Sequence, residues 1–428
     1  MRNENAQPFQ VGDVLETDVG EAVHGGWCIA RPGHSESSAQ GGGPVLFVRH
    51  ALPGELVKAV VTQTTAKFAR ADAIEIINAA PERVSAPCPY ARPGGCGGCD
   101  WQHASLPAQR EIKAHVISQQ IKRIAGLERQ VFVEELPGGD AGLGWRTRVR
   151  FAVGRDGRAG LYRHRSHEIT PVSDCLIAHP LVTGAGVTRK TWAGARSVEV
   201  AASPGTGDHA LLIRWRGRRA GGGTAEQRTQ DPGPPGSPRF LTYRAAGREW
   251  RVSASGFWQV HPGAADVLAE AVMAALAPRP GQTALDLFCG AGLFAGVLAG
   301  AVGPDGAVVA VEQDEAAARD ARHNLRLTPW ARVHCGDASQ VMARLGLGDA
   351  TIAVLDPPRT GATRELIDVL CSGGLRRIAY VSCDPATLAR DIAVFGQHGW
   401  RLLQLRGFDA FPMTHHVESL AVLVPPPG

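Results

Sequence analysis

Near the end of this 428-residue sequence stand a cysteine and a glutamate whose types suit nucleophilic catalysis with general-base help. Cys383 lies in R-I-A-Y-V-S-C-D-P-A-T-L-A-R-D-I-A-V-F, residues 377–395. The stretch reads as a buried strand, Ile378–Ser382, followed by a helix opened by Pro385 and carried by Leu388, Ile392 and Val394. At such a junction a side chain projects from the carboxyl edge of an α/β sheet, and the positive end of the helix is expected to favour a thiolate. Glu418, in F-D-A-F-P-M-T-H-H-V-E-S-L, precedes the last apolar strand, where a carboxylate across the edge from Cys383 could act as a base.

Two further motifs supply binding groups. Leu285–Phe294, L-D-L-F-C-G-A-G-L-F, is a strand running into a glycine-rich turn, and Gly290 and Gly292 let the backbone approach a nucleotide. Glu312 ends the next strand, where a carboxylate can accept from ribose hydroxyls. The glycines run G-x-G-x-x-x-G, unlike the pyrophosphate turn G-x-G-x-x-G, so S-adenosylmethionine (SAM) fits better than a dinucleotide. In Asp356-Pro357-Pro358-Arg359 the paired prolines stiffen the backbone and hold the flanking Asp and Arg for binding.

A third constellation is C-P-Y-A-R-P-G-G-C-G-G-C-D-W-Q-H, residues 88–103. Cys88, Cys96 and Cys99 share a Gly/Pro-rich loop that can fold around a metal centre, and Cys175 is the next cysteine available as a fourth thiolate. Zinc and a [4Fe–4S] cluster both accept four thiolates. The spacing is unlike three closely set cysteines that leave an iron open for radical chemistry, so a structural centre is the better reading.

The elements that must position these residues fall into three parts. Residues 1–84 read as a small β-barrel of the oligonucleotide-binding type, from V-L-F-V-R-H, L-V-K-A-V-V-T and A-D-A-I-E-I-I with turns at Pro53-Gly54 and Gly41–Gly43. Residues 85–251 form a central α+β part: a helix over Leu106–Ala125, then alternating strands over 145–215. Arg146, Arg148, Arg150, Arg163, Arg165, Arg214 and Arg216 are expected to line a phosphate-binding face there. The low-complexity stretch Arg218–Pro238 is expected to be disordered. Residues 252–428 alternate strands and helices, which predicts an α/β fold with a largely parallel, doubly wound sheet. Net charge is +4 overall, but residues 140–251 carry 19 basic against 9 acidic residues between two mildly acidic parts, as expected for a polyanion held locally. The polar start M-R-N-E-N-A-Q-P-F-Q and the absence of any long apolar run predict a cytoplasmic protein with no membrane partner. A monomer is expected.

The phrase H-A-L-P-G-E-L-V, residues 50–57, resembles the TRAM domain, an RNA-binding barrel. D-L-F-C-G-A-G, V-E-Q-D, D-P-P-R, S-C-D-P and F-P-M-T-H-H-V-E, with G-F-W-Q-V-H-P at 256–262 and the Cys-rich loop, occur in the order and approximate spacing of the RNA uracil-C5 methyltransferases, which act on tRNA or 23S rRNA. The resemblance covers nearly the whole chain. It implies a C-terminal Rossmann-like SAM-dependent methyltransferase domain with Cys383 as nucleophile and Glu418 as base. By the same resemblance Gln259, Phe288, Glu312, Asp337 and Asp356 contact SAM or the target base, and Cys88, Cys96, Cys99 and Cys175 hold a [4Fe–4S] cluster. Leu293 departs from the asparagine common in relatives and is left out of that set.

The implied chemistry follows from uracil itself, whose C5 is a poor nucleophile. Addition of the Cys383 thiolate to C6 activates C5, and Glu418 then removes the C5 proton. A base buried in folded RNA must be flipped out for this. The alternatives are an RNA cytosine-C5 methyltransferase, which would also use a thiol, and a non-catalytic iron–sulfur RNA-binding protein; an NAD-linked oxidoreductase is weaker.

Overall fold

The computed structural model describes residues 9–32, 45–139, 141–216, 230–232 and 237–427. They belong to two compact units, one built from Met1–Val116, Leu161–Thr170 and Pro412–His415, the other from Ile117–Gly160, Pro171–Phe411 and His416–Gly428. No helix among the described residues is long and apolar enough to cross a membrane.

The first unit contains a closed barrel of β1 (Val14–Val23), β2 (Trp27–Ala30), β3 (Val45–Arg49), β4 (Leu56–Thr64) and β5 (Phe68–Asn78), in the order β1-β2-β3-β5-β4. Alternation along β4 and β5 turns Val57, Ala59 and Val61, and Ala69, Ala71 and Ala73, into the interior. The expected turn at Pro53-Gly54 is present, with Gly54 at φ 83°; Gly41–Gly43 lie outside the described residues.

Just past that turn, the fully buried Glu55 carboxylate accepts from the backbone N–H groups of Leu52 (2.7 Å) and Ala80 (3.2 Å) and pairs with the Arg83 guanidinium. Burial pushes its pKa up, but the Arg83 hydrogen bond and the two amides outweigh burial and leave it below the usual range. A depressed carboxyl stabilises the fold above its unfolded pKa and loses that contribution as pH falls through the folded value. Glu55→Gln should therefore destabilise the barrel by about 3 kcal/mol at pH 7, as Arg83 loses its counter-charge. The deficit, read by urea denaturation, should shrink below pH 4.

Helix α1 (Leu106–Gln120) runs into a π-helical turn, Ile121–Ala125, and stops at Gly126 in the left-handed conformation (φ 71°), matching the predicted 106–125 helix. The short strand β6 (Val133–Glu135) follows. Next come β7 (Arg148–Val153), β8 (Ala159–Tyr162), β9 (Ile169–Pro171), α2 (Pro180–Gly184), β10 (Ala195–Ser203), β11 (Asp208–Trp215) and β12 (Gln230–Pro232). Antiparallel pairing sets them in the order β12-β11-β10-β7-β8.

One expectation is corrected in this sheet. Gln230–Pro232, inside the stretch expected to be disordered, pair with Arg214–Leu212 of β11, while residues 217–229 and 233–236 lie outside the described residues. Several of the strand arginines are engaged by groups of the protein itself. Arg148 donates to Glu199 and to the carbonyls of Ala254 and Gly256, and Arg150 donates to Glu199 (2.6 Å). Arg216 donates to Val153 O (2.6 Å) and Arg146 to Arg148 O (3.2 Å). Alternation placed these guanidinium groups on one face, but a long side chain can turn back and satisfy buried carbonyls and a carboxylate.

A hairpin of β13 (Phe240–Ala245) and β14 (Arg248–Ser253) leads into α3 (Ala264–Leu276). The remaining elements alternate: β15 (Thr283–Leu287), α4 (Leu293–Val302), β16 (Ala307–Glu312), α5 (Glu315–Asn324), β17 (Ala331–Cys335), α6 (Ala338–Leu345), β18 (Ala350–Leu355), α7 (Arg364–Cys371), β19 (Arg377–Ser382), α8 (Pro385–Gln397), β20 (Arg401–Asp409) and β21 (Glu418–Val424). They form an eight-stranded sheet ordered β17-β16-β15-β18-β19-β21-β20-β6, parallel from β17 to β19. Its strands are apolar on both faces because both are covered. Leu268, Val272, Phe294 and Leu298 of α3 and α4 pack one face with Trp250 of the hairpin, and Leu366, Leu370, Leu388 and Phe395 of α7 and α8 pack the other. The chain leaves β15 towards β16 and returns to β15's other side as β18. That reversal opens a crevice beyond the carboxyl ends of β15 and β18.

Candidate active site

The strand register brings the thiol and the carboxylate together. Cys383 follows β19, and Asp384 caps α8 by accepting from Thr387 N (2.9 Å), with Pro385 in the first turn. β21 runs antiparallel to β19 with Ser419 opposite Ser382, so Glu418, the first residue of β21, falls opposite Cys383. Glu418 is 3% exposed. Burial, then Asp356, push its pKa well up against the pull of Arg359.

The Cys383 thiol is pushed up to about 11 by burial and then by Glu418, with Arg359 opposing through its charge. The helix start was expected to favour a thiolate; in the unliganded site burial and the neighbouring carboxylates outweigh it. Asp356, at the end of β18, is raised to about 7 by burial and Glu312, and Asp286 of β15 to about 8, chiefly by burial. Three carboxyl groups thus share the crevice and are penalised for ionising there.

The glycine turn forms the adjoining wall. Phe288 adopts φ 69° and Gly290 φ 54°, and a Cβ on Gly290 would meet nothing within 4 Å, so the space beside it is open. Glu312 accepts from Gly290 N (2.8 Å) and Asp314 N (2.7 Å), which fixes its carboxylate at the turn. Gly296 has a packing role, since a Cβ there would stand 2.4 Å from the Trp250 ring. Asp337 caps α6, accepting from Gln340 N (3.1 Å). Gln259 is half-buried, and its amide makes no hydrogen bond among the described residues. Leu293 is buried at the start of α4.

Sequence reasoning missed Asp286, although it stands inside L-D-L-F-C-G-A-G. Its Oδ2 accepts from Ala295 N (2.6 Å), while Oδ1 is buried with no partner among the described residues. It also missed His416, whose Nε2 lies 3.3 Å from Arg359 Nη2.

These residues fit SAM. An open glycine turn, an orphaned buried carboxylate oxygen and a cluster of destabilised acids suit a ligand carrying a sulfonium and an ammonium. A cation placed there ionises the carboxyls, so the complex binds fewer protons than the free protein. SAM affinity should therefore rise between pH 6 and 7, by up to about tenfold for one linked proton, below the titration of the ligand's own amino group near ~8. Calorimetry in buffers of different ionisation heat should detect the released proton; a flat affinity would contradict the linkage.

The cysteine motif is placed less completely. In the first unit Cys88, Cys96 and Cys99 are half-buried; Cys88 N donates to Gln102 Oε1 (3.1 Å) and Cys96 forms a β-bridge with Arg163. Cys175 belongs to the second unit, where it is half-buried. Among the described residues no group of three or more His, Cys, Asp or Glu side chains is arranged to hold a metal ion.

A family model described as tRNA (Uracil-5-)-methyltransferase matches residues 346–425, and one described as Protein-L-isoaspartate(D-aspartate) O-methyltransferase matches residues 263–375. A Streptomyces avermitilis protein named as an uncharacterized RNA methyltransferase is 46% identical over 437 residues, covering 97% of this chain and 99% of its own. The 23S rRNA (uracil(1939)-C(5))-methyltransferase RlmD of Alkalilimnicola ehrlichii is 33% identical, with 88% and 91% of the two chains covered. Among solved structures, the Pyrococcus abyssi tRNA (uracil-54, C5)-methyltransferase in complex with S-adenosyl-L-homocysteine superposes with a TM-score of 0.70 over 96% of this chain and all of that one; at 20% identity it shows a shared fold. Identity along almost the whole length, on a fold whose sheet edge gathers these motifs, settles membership: the chain belongs to the family of SAM-dependent RNA uracil-C5 methyltransferases.

Proposed function

We propose that this protein methylates C5 of a specific uridine in structured RNA, tRNA or rRNA, through a covalent bond between Cys383 and C6 of the base. The observation that carries the reading is the β19–β21 register, which sets Glu418 opposite Cys383. Gln259, Phe288, Glu312, Asp337 and Asp356 are the residues we assign to SAM and the target base, and Asp286 supports the glycine turn from within. SAM, when bound, supplies an electrophilic methyl group. Addition of the Cys383 sulfur to C6 breaks the C5=C6 double bond and makes C5 electron-rich. Once C5 carries the methyl group, Glu418 takes the C5 proton, the double bond re-forms and the sulfur leaves. Burial keeps water from the adduct and favours the protonated form of Glu418 in the empty site; a bound cation nearby favours the carboxylate that proton removal requires. Mass-spectrometric mapping of 5-methyluridine in RNA from cells with and without the gene tests the reading: one uridine in tRNA or rRNA should lose its methyl group, and an unchanged 5-methyluridine map would refute it.

RNA is proposed to rest partly on the first unit. Arg70 and Arg165 each lie over the Trp27 ring, 5.5 and 5.7 Å from its centroid, and neither makes an ion pair among the described residues. Arg163 and Arg49, by contrast, pair with Glu168 and Asp100. A guanidinium stacked on a ring turns its N–H edge outward, and the groups left beside the bond from Arg70 Nη1 to Gln63 Oε1 (2.5 Å) can meet a phosphate. The double variant Arg70→Ala/Arg165→Ala should weaken RNA binding about tenfold and flatten its salt dependence, measured by fluorescence anisotropy across a salt series, with SAM affinity unchanged.

For Cys88, Cys96, Cys99 and Cys175 we propose a [4Fe–4S] cluster rather than zinc, on the resemblance of the cysteine motif to that of the RNA uracil-C5 methyltransferases. Anaerobically purified protein should contain iron and sulfide in equal amounts; zinc in their place would overturn the assignment.

A further inference from the structure

We propose that Arg359 is a catalytic residue that stabilises the Cys383 thiolate, and that Thr387, Arg390 and Asp391 of α8 are positioning residues that fix it there. The inference rests on the methyl-transfer reading above. It concerns how the nucleophile becomes ionised, which the register of Cys383 and Glu418 leaves unexplained.

Two carboxyl groups face the thiol, Glu418 from β21 and Asp356 from the end of β18, and both disfavour a thiolate. Arg359, three residues beyond Asp356, is the cation that opposes them. It makes no ion-pair contact with a carboxylate among the described residues; its hydrogen-bond partner is the His416 ring nitrogen at 3.3 Å. With no carboxylate paired to it, the guanidinium keeps its charge for the sulfur.

Arg359 is solvent-exposed, and an exposed arginine normally samples many rotamers. Here its backbone is held from behind by the helix that begins at the nucleophile. Thr387 Oγ1 donates to Arg359 O (2.9 Å), Arg390 Nη2 to Thr360 O (2.8 Å), and Ala362 N to Asp391 Oδ2 (2.9 Å). Asp391 is 1% exposed and also accepts from the Tyr380 hydroxyl of β19, so its carboxylate cannot turn away. Gly361 (φ 79°) permits the approach: a Cβ there would stand 2.4 Å from Asp391 Oδ2 and from Thr387 Cγ2. One helix therefore carries the sulfur at its start and, on its first two turns, the groups that locate the sulfur's counter-charge.

The test compares Arg359→Ala, Arg359→Lys, Thr387→Val and Thr387→Ser in the full-length protein. Iodoacetamide alkylation of the Cys383 peptide is followed by mass spectrometry against pH, alongside kcat and KM for RNA. Arg359→Ala should alkylate about tenfold more slowly at pH 8, one unit of thiol pKa. Its kcat should fall about 100-fold with KM for RNA within about twofold. Lysine should restore part of the alkylation rate. Thr387→Val should move both readouts in the same direction by about threefold, and Thr387→Ser should restore them. An Arg359→Ala protein with wild-type alkylation and kcat but a raised KM would overturn the proposal, making Arg359 an RNA anchor. Methylation by Cys383→Ala would instead overturn the parent reading, whatever Arg359 does.

Discussion

Glu418→Gln is expected to leave the protein covalently attached to its RNA. Addition at C6 and methylation at C5 do not need a base, but release does: the C6–S bond breaks only as the C5 proton leaves. Glutamine fills the glutamate's volume at a position 3% exposed and cannot take that proton. Methylated RNA should accumulate as a species that survives denaturing electrophoresis, and turnover should fall by about 1,000-fold. The substitution also removes an acid that pushes the Cys383 thiol up, so adduct formation should be no slower than in the wild type. Stability gives an independent sign. The folded-state pKa of Glu418 is raised, so its proton is held more tightly in the folded protein, and that contribution is lost as pH rises through the folded value. Gln mimics the protonated form, so the variant should melt no lower than the wild type near neutral pH. Rapid turnover by Glu418→Gln with no retained adduct would move the base elsewhere.

Cys383→Ala is expected to abolish methylation, by at least about 10,000-fold, because no other group can activate C5. The residue is half-buried at a strand end, and alanine fits without strain, so the fold should persist. SAM affinity should stay within about twofold, since the glycine turn, Glu312 and Asp286 are untouched. Two measurements separate these effects: radiolabelled methyl transfer to RNA and calorimetric SAM binding. Loss of both would point to a folding defect; loss of the first alone assigns the sulfur to the chemistry.

Local pattern made much of this architecture readable before any coordinates. The strand–helix alternation expected over residues 252–428 is the alternation observed from β15 to β19. Cys383 was legible because Pro385 and the apolar spacing behind it mark a helix start. The engagement of several strand arginines was out of reach for a physical reason. Period-two alternation says which face a side chain leaves from, but not whether Glu199 and the carbonyls of Ala254 and Gly256 will claim it. β12 was hidden because Gln230–Pro232 has no strand-like composition and is a strand only through β11. The electrostatics of the site were out of reach altogether. A helix start predicted a lowered thiol pKa, whereas burial and Glu418, brought close by the antiparallel register, raise it. Arg359 was visible beside its prolines; the pull of its charge on the thiol and its support by Thr387 depend on the tertiary fold.

The central claim, a Cys383–C6 bond, is tested most directly with RNA carrying 5-fluorouridine in place of uridine. Fluorine at C5 cannot be removed as a proton, so once the methyl group is in place Glu418 has nothing to take and the sulfur cannot leave. With SAM present, mass spectrometry of the digested complex should find the nucleotide joined to the peptide containing Cys383, and Cys383→Ala should form no such species. Methylation of ordinary RNA with no trapped adduct on the fluorinated RNA, or an adduct on any other cysteine, would contradict the account.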